Sequence, residues 1–145
     1  MGASIGCCPA ARFSAEYTAP RTLFVVPGSK LAECIFESRA TEREVQAARH
    51  LQPKRLLRHF QEALEIYNPL TYKDKLQGKV RVHFGTHDRM IPSPRGYELA
   101  HALEEESRRR NGLDVCISTY NYGDHSSTAL AFARKAKEIF GEFFA

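Results

Sequence analysis

Residues 79–103 read KVRVHFGTHDRMIPSPRGYELAHAL. The opening KVRVHFG alternates in part and is rich in β-formers, which predicts a strand. From residue 94 to 110, Tyr97, Leu99, Ala100 and Leu103 are interleaved with Glu and Arg, the pattern of an amphipathic helix. Between strand and helix lies GTHDRMIP, a loop that carries a carboxylate, Asp88, just past the end of the strand.

The same succession extends in both directions. Residues 22–26, TLFVV, form a short apolar run closed by Pro27 and Gly28, which is the signature of a buried strand in a parallel sheet. Residues 113–123, LDVCISTYNYG, predict a further strand, and residues 127–144 a closing helix with Leu130, Ala133, Ala136, Ile139, Phe140 and Phe143 as its apolar stripe. Ahead of them, residues 5–17 form a helix of small residues, broken at Ala19-Pro20. Residues 30–67 are helical by composition, with a break at Gln52-Pro53; Leu56, Leu57, Phe60, Leu64 and Tyr67 fall at helical spacing and are expected to face a core. Alternation of strands and helices argues for βαβ crossovers. The expected fold is therefore a three-layer α/β/α domain over residues 1–145, built on a partial parallel sheet of about three strands.

The chain has 145 residues and a net charge of +4. Its basic residues are scattered among glutamates, so no stripe suited to nucleic acid stands out. The one compact run, Arg108-Arg109-Arg110, closes a helical pattern before Asn111-Gly112, where cations complement a helix C-terminus. No apolar run approaches the ~20 residues of a membrane span. The four cysteines, at 7, 8, 34 and 116, have no metal-ligand spacing and read as reduced core thiols of a cytosolic protein.

In an open parallel sheet, sites form at the carboxyl ends of the strands. Asp88 follows one strand and His125, within YGDHSS, follows the next; Ser4, within GASIG, precedes the first helix. Serine attack on a carbonyl needs a base, imidazole suits that task near neutral pH, and a carboxylate on the other ring nitrogen fixes the tautomer. The chain order Ser4, Asp88, His125 is that of one large group of hydrolases, and the 37 residues between Asp88 and His125 suffice for a loop, a helix and a strand, so the two loops would be neighbours. Each residue also has a structural role open to it. Ser4 could cap the following helix, Asp88 could shape a turn, and His125 could be a helix-entry residue satisfied by a backbone carbonyl. His87 is expected to point away from the site. Neither the remaining histidines nor Glu33, Glu37 and Asp124 make a ligand set, so no metal or other cofactor is expected. Cys7 and Cys8 are expected to pack inward.

These stretches resemble the C-terminal half of an α/β-hydrolase-fold serine hydrolase. MGASIGC matches the nucleophile elbow, residues 80–103 are similar to the family's strand, acid loop and following helix, and NYGDHSS resembles the loop that carries the histidine. The resemblance implies Ser4 as nucleophile, His125 as base, Asp88 as the acid that orients it and the backbone N–H of Ile5 as one oxyanion donor. It implies an acyl ester, thioester or amide as small-molecule substrate. Residues 30–72 correspond to a region that in the family is often a helical lid.

In the family several strands precede the elbow and supply a second oxyanion donor, and here the elbow motif opens the sequence. Two expectations follow. One is a longer hydrolase of which this is a part, or a shorter protein whose sheet a partner completes. The other is a catalytically inactive module that acts by protein–protein association through its bare sheet edge.

Overall fold

The computed structural model describes residues 1–48 and 53–144. Its strands are β1 (Gly2–Ala3), β2 (Arg21–Val25), β3 (Gly78–Gly85) and β4 (Leu113–Tyr120), and its α-helices are α1 (Cys7–Glu16), α2 (Leu31–Glu37), α3 (Glu42–Ala48), α4 (Pro53–Leu64), α5 (Ser93–Arg109) and α6 (His125–Phe144). Short 3₁₀ turns at Ser4–Gly6, Arg39–Thr41, Glu65–Tyr67 and Pro69–Lys75 connect them. The sheet is parallel throughout and runs in the order β1-β2-β3-β4.

The apolar run at residues 22–26 is buried along its whole length because both faces of β2 are covered. Alternate strand residues point to opposite faces. Phe24 enters a core with Cys7 and Ala11 of α1, Val80 and Val82 of β3, and Leu99 and Leu103 of α5. Leu23 and Val25 pack on the other side against Phe132 and Phe143 of α6. Full burial of a side chain such as Phe24, at 0% exposure, contributes about 2–3 kcal/mol. Helices α1 and α5 thus form one layer and α6 the other, the three-layer arrangement that the sequence predicts.

The sheet has four strands, one more than the sequence suggests. The extra one is β1, in which Gly2 pairs with Phe24 and Ala3 with Val25. A two-residue strand has no alternation to detect. It gives the elbow the strand that such a turn requires.

Three packing expectations need correction. The α6 stripe runs through Phe132, Ala136, Ile139, Phe140 and Phe143, so Leu130, at 53% exposure, faces out, and Ala133 is exposed as well. Phe60 and Tyr67 do not face a core: they are 36% and 39% exposed, and Leu57 and Leu64 are half-buried. Phe60 lies on α4, which packs on α2 rather than on the sheet, and Tyr67 ends the 3₁₀ turn that follows α4, so only part of the stripe is covered. Cys116 is exposed, because α6 lies across β2 and β3 and leaves that face of the edge strand β4 open. The expected break at Gln52-Pro53 borders residues 49–52, which lie outside the described ones, as does the side chain of Leu56, and α3 and α4 flank that gap.

The basic run at 108–110 closes α5 as expected. Arg109 and Arg110 pair with Glu106, and Arg110 Nη2 donates to the carbonyls of Lys73 and Leu76, at 3.2 and 3.0 Å. Among the described residues no helix is long and apolar enough to cross a membrane.

Candidate active site

The chain leaves β1 in extended geometry at Ala3 (φ −126°, ψ 140°), reverses at Ser4 with φ 52°, and enters the 3₁₀ turn that leads into α1. A non-glycine residue in the left-handed region costs about 1–2 kcal/mol. The reversal is tight enough to need Gly2: a Cβ there would lie 2.3 Å from the Gly6 carbonyl oxygen and 2.7 Å from Cys7 Cα. Gly6, the second glycine of the motif, is under no such demand, since a Cβ there would meet nothing within 4 Å. Capping does not explain Ser4. The residues that cap the 3₁₀ turn and α1 are Ala3 and Gly6, neither with a side-chain cap bond.

Asp88 is buried, at 5% exposure, and divides its two oxygens. Oδ1 accepts the N–H groups of Met90 and Ile91, at 2.8 and 2.9 Å, which shapes the acid loop. Oδ2 meets His125 Nδ1 at 2.8 Å. The turn role and the partnering role are therefore both filled.

His125 is the first residue of α6, and the loop before it is drawn onto the acid loop. The N–H groups of Thr86 and His87 donate to the carbonyls of Tyr120 and Gly123, each at 3.1 Å. The approach depends on Gly85: a Cβ there would lie 2.2 Å from both the Gly123 carbonyl oxygen and Thr128 Oγ1. Sequence reasoning passed over Gly85 and Thr128 as site-builders, although the glycine ahead of the acid and the small residues around the histidine were the available signal. The Asp88 carboxylate raises the His125 pKa above the ordinary imidazole value, and partial burial opposes it. Asp124 is exposed; it accepts the Ser127 N–H at 2.8 Å while Ser127 Oγ accepts its own N–H at 2.9 Å, a reciprocal cap on α6. Those bonds hold the Asp124 carboxyl below the usual carboxylate range.

Ser4, Ile5 and His125 line one hollow of about 200 Å³, walled by Leu31, Cys34, Ile35 and Ile91. A second hollow, of about 470 Å³, shares His125 and Met90 with the first and adds Arg39, His87, Arg89 and Asp124. His87 lines the second hollow with His125 and is absent from the hollow that holds Ser4; it stacks on Tyr122 at 5.2 Å. A larger hollow of about 680 Å³ shares Arg39 and Arg89 with the second, adds Asp88, Glu37 and Glu42, and includes neither Ser4 nor His125.

Burial keeps the thiols near Ser4 in their protonated form near neutral pH. Cys7 is fully buried and burial pushes its pKa up to about 12; Cys8 rises to about 11 and Cys34 to about 12 for the same reason. His83, within β3, is pushed down to about 4 by burial, with Arg81 adding to the shift.

These elements define the α/β-hydrolase fold, and solved structures carry the same arrangement. An acylaminoacyl peptidase of Pyrococcus horikoshii aligns over 99% of this chain with a TM-score of 0.65 and 16% identity, and the chain covers 22% of it. An acylaminoacyl peptidase in complex with Z-Gly-Gly-Phe-chloromethyl ketone aligns over 99% with a TM-score of 0.61 and 15% identity, again covering 22% of its length. Rv0554 from Mycobacterium tuberculosis aligns over 99% with a TM-score of 0.59 and 12% identity, and here the chain covers 63%. The chain thus spans about a fifth of the length of the peptidases it resembles. No protein-family model and no curated protein sequence matches it.

Proposed function

We propose that this chain carries the catalytic end of a serine hydrolase that cleaves a carboxylic ester, thioester or amide through an acyl-enzyme. The observation that supports the reading is the 2.8 Å contact between Asp88 Oδ2 and His125 Nδ1, beside a hollow that also contains a strained Ser4. With Nδ1 held by the carboxylate, Nε2 is the free nitrogen of a neutral imidazole. Nε2 takes the Ser4 proton as Oγ bonds the substrate carbonyl carbon. It returns that proton to the leaving atom as the carbon–heteroatom bond breaks, and a water then repeats the sequence to release the acid. Ile5 is the second residue of the 3₁₀ turn, whose opening N–H groups have no partner within the turn. Its N–H is assigned as an oxyanion donor. Residues 30–72 act in this reading as a lid, since Leu31, Cys34 and Ile35 already wall the hollow.

The test is covalent labelling with a fluorophosphonate probe followed by peptide mapping. Label is expected on Ser4, lost in Ser4→Ala and slowed in His125→Gln. Absence of label on Ser4 in the native chain would overturn the reading.

A further inference from the structure

The two hollows that meet at His125 differ in chemistry, and the reaction assigns a different half of the substrate to each. In serine acyl transfer the acyl group stays on the serine while the histidine protonates the leaving group. The hollow with both Ser4 and His125 is the acyl side. The hollow that has His125 without Ser4 is the leaving-group side.

The acyl side is small and apolar, with Leu31, Cys34, Ile35, Met90 and Ile91 around about 200 Å³. A small apolar space of this kind suits a short aliphatic acyl group. The leaving-group side, about 470 Å³, is lined by Arg39 and Arg89, which also line the 680 Å³ hollow together with Glu37 and Glu42. The backbones of these residues are tied together, with the Arg39 N–H donating to the Arg89 carbonyl at 2.9 Å, so both side chains start from neighbouring points. Among the described residues neither side chain has a carboxylate partner, whereas the nearby Arg95 is fully engaged by Glu37 and Glu98. Asp124 also lines this side, with its Oδ1 accepting the Ser127 N–H at 2.8 Å, and the two arginine charges outnumber its single carboxylate charge. Two unpaired guanidinium groups in a groove present a fork for a carboxylate or phosphate.

We infer that the substrate joins a short apolar acyl group to a leaving group that carries an anionic carboxylate or phosphate, read by Arg39 and Arg89. This rests on the roles given above to Ser4 and His125.

The experiment compares three butyryl esters on the full chain: of 4-hydroxybenzoate, of its neutral counterpart 4-hydroxybenzamide, and of 4-hydroxyphenyl phosphate. Each is followed by phenol release. The ratio of anionic to neutral kcat/KM is then measured in Arg39→Gln/Arg89→Gln, and in Arg108→Gln/Lys135→Gln as a charge-matched control. The ratio is expected to fall about tenfold in the first variant only, as two exposed charge contacts would give, and to shrink with added salt. A larger fall for the benzoate ester assigns a carboxylate, and for the phosphate ester a phosphate. An unchanged ratio, or an equal fall in the control, overturns the inference. Fluorophosphonate labelling of Ser4 in the same preparation separates the two failures. Label without an anion preference removes the inference alone, and absence of label removes the hydrolase reading and the inference with it.

Discussion

Gly85 lies so close to Thr128 that a Cβ on the glycine would sit 2.2 Å from the threonine Oγ1. That contact brings the start of α6 against the end of β3, and with it His125 against Asp88. Gly85→Ala is expected to cost about 1–3 kcal/mol through overpacking and to separate the two loops. Thermal unfolding with histidine NMR checks both effects. An unchanged Tm and an unshifted His125 resonance would contradict the contact.

Asp88→Asn separates the two jobs of that side chain. The amide oxygen can still accept from Met90 and Ile91, so the loop should persist and the Tm should fall by only a few degrees. An amide N–H facing Nδ1 favours the wrong tautomer, and turnover is expected to drop about 10³–10⁴-fold. The comparison of Tm with rate decides, and equal activity in both forms would remove Asp88 from the mechanism.

His125 ties activity and stability to pH in opposite directions. Its pKa is raised in the folded state, chiefly by Asp88. Its contribution to stability is therefore complete below the ordinary imidazole value of about 6.5 and is lost as pH rises through the folded value. Catalysis needs the neutral ring, so the rate should rise with pH through that same raised value. The midpoint of a kcat/KM profile should lie above about 6.5 and move down in Asp88→Asn. A flat profile from pH 5 to 8 would exclude His125 as base.

His83 has the reverse sign. Burial beside Phe132, with ring centroids 5.2 Å apart, holds its pKa near about 4, so the unfolded chain binds a proton first as pH falls. Its neutral form contributes stability that is complete above about 6.5 and declines toward pH 4, by up to about 3 kcal/mol. Denaturant unfolding across that range should show a smaller acid-induced loss in His83→Gln than in the native chain.

Ser4 stores strain. Ser4→Gly removes the cost of a left-handed φ of 52° and should offset the entropy that glycine adds to the unfolded chain, so it is expected to be about 1 kcal/mol more stable than Ser4→Ala. Both should be inactive. A Ser4→Gly variant no more stable than Ser4→Ala would argue against a strained elbow.

The order of strands and helices was legible in the sequence because each of the longer elements has its own period. The buried run at residues 22–26 and the mixed pattern at 79–110 hold without reference to anything distant. The candidate site was proposed from an order of residue types, Ser4, Asp88, His125, set after strand-like runs, and the structure joins Asp88 to His125. What a local pattern lacks is the identity of the neighbour. Cys116 and Phe132 are both apolar residues at plausible core positions, and only the placement of α6 across β2 and β3 exposes the first and buries the second. Phe60 has helical spacing, yet its helix packs on α2 instead of the sheet, which leaves it partly exposed. The strand ahead of Ser4 has two residues and no pattern; it exists because Phe24 and Val25 offer it a parallel edge. The division of Asp88 between its own loop and His125, and the approach of Gly85 to Thr128, were likewise decided only in three dimensions. They join groups 37 and 43 positions apart, and only the pairing of β3 with β4 and the packing of α6 bring such groups into contact.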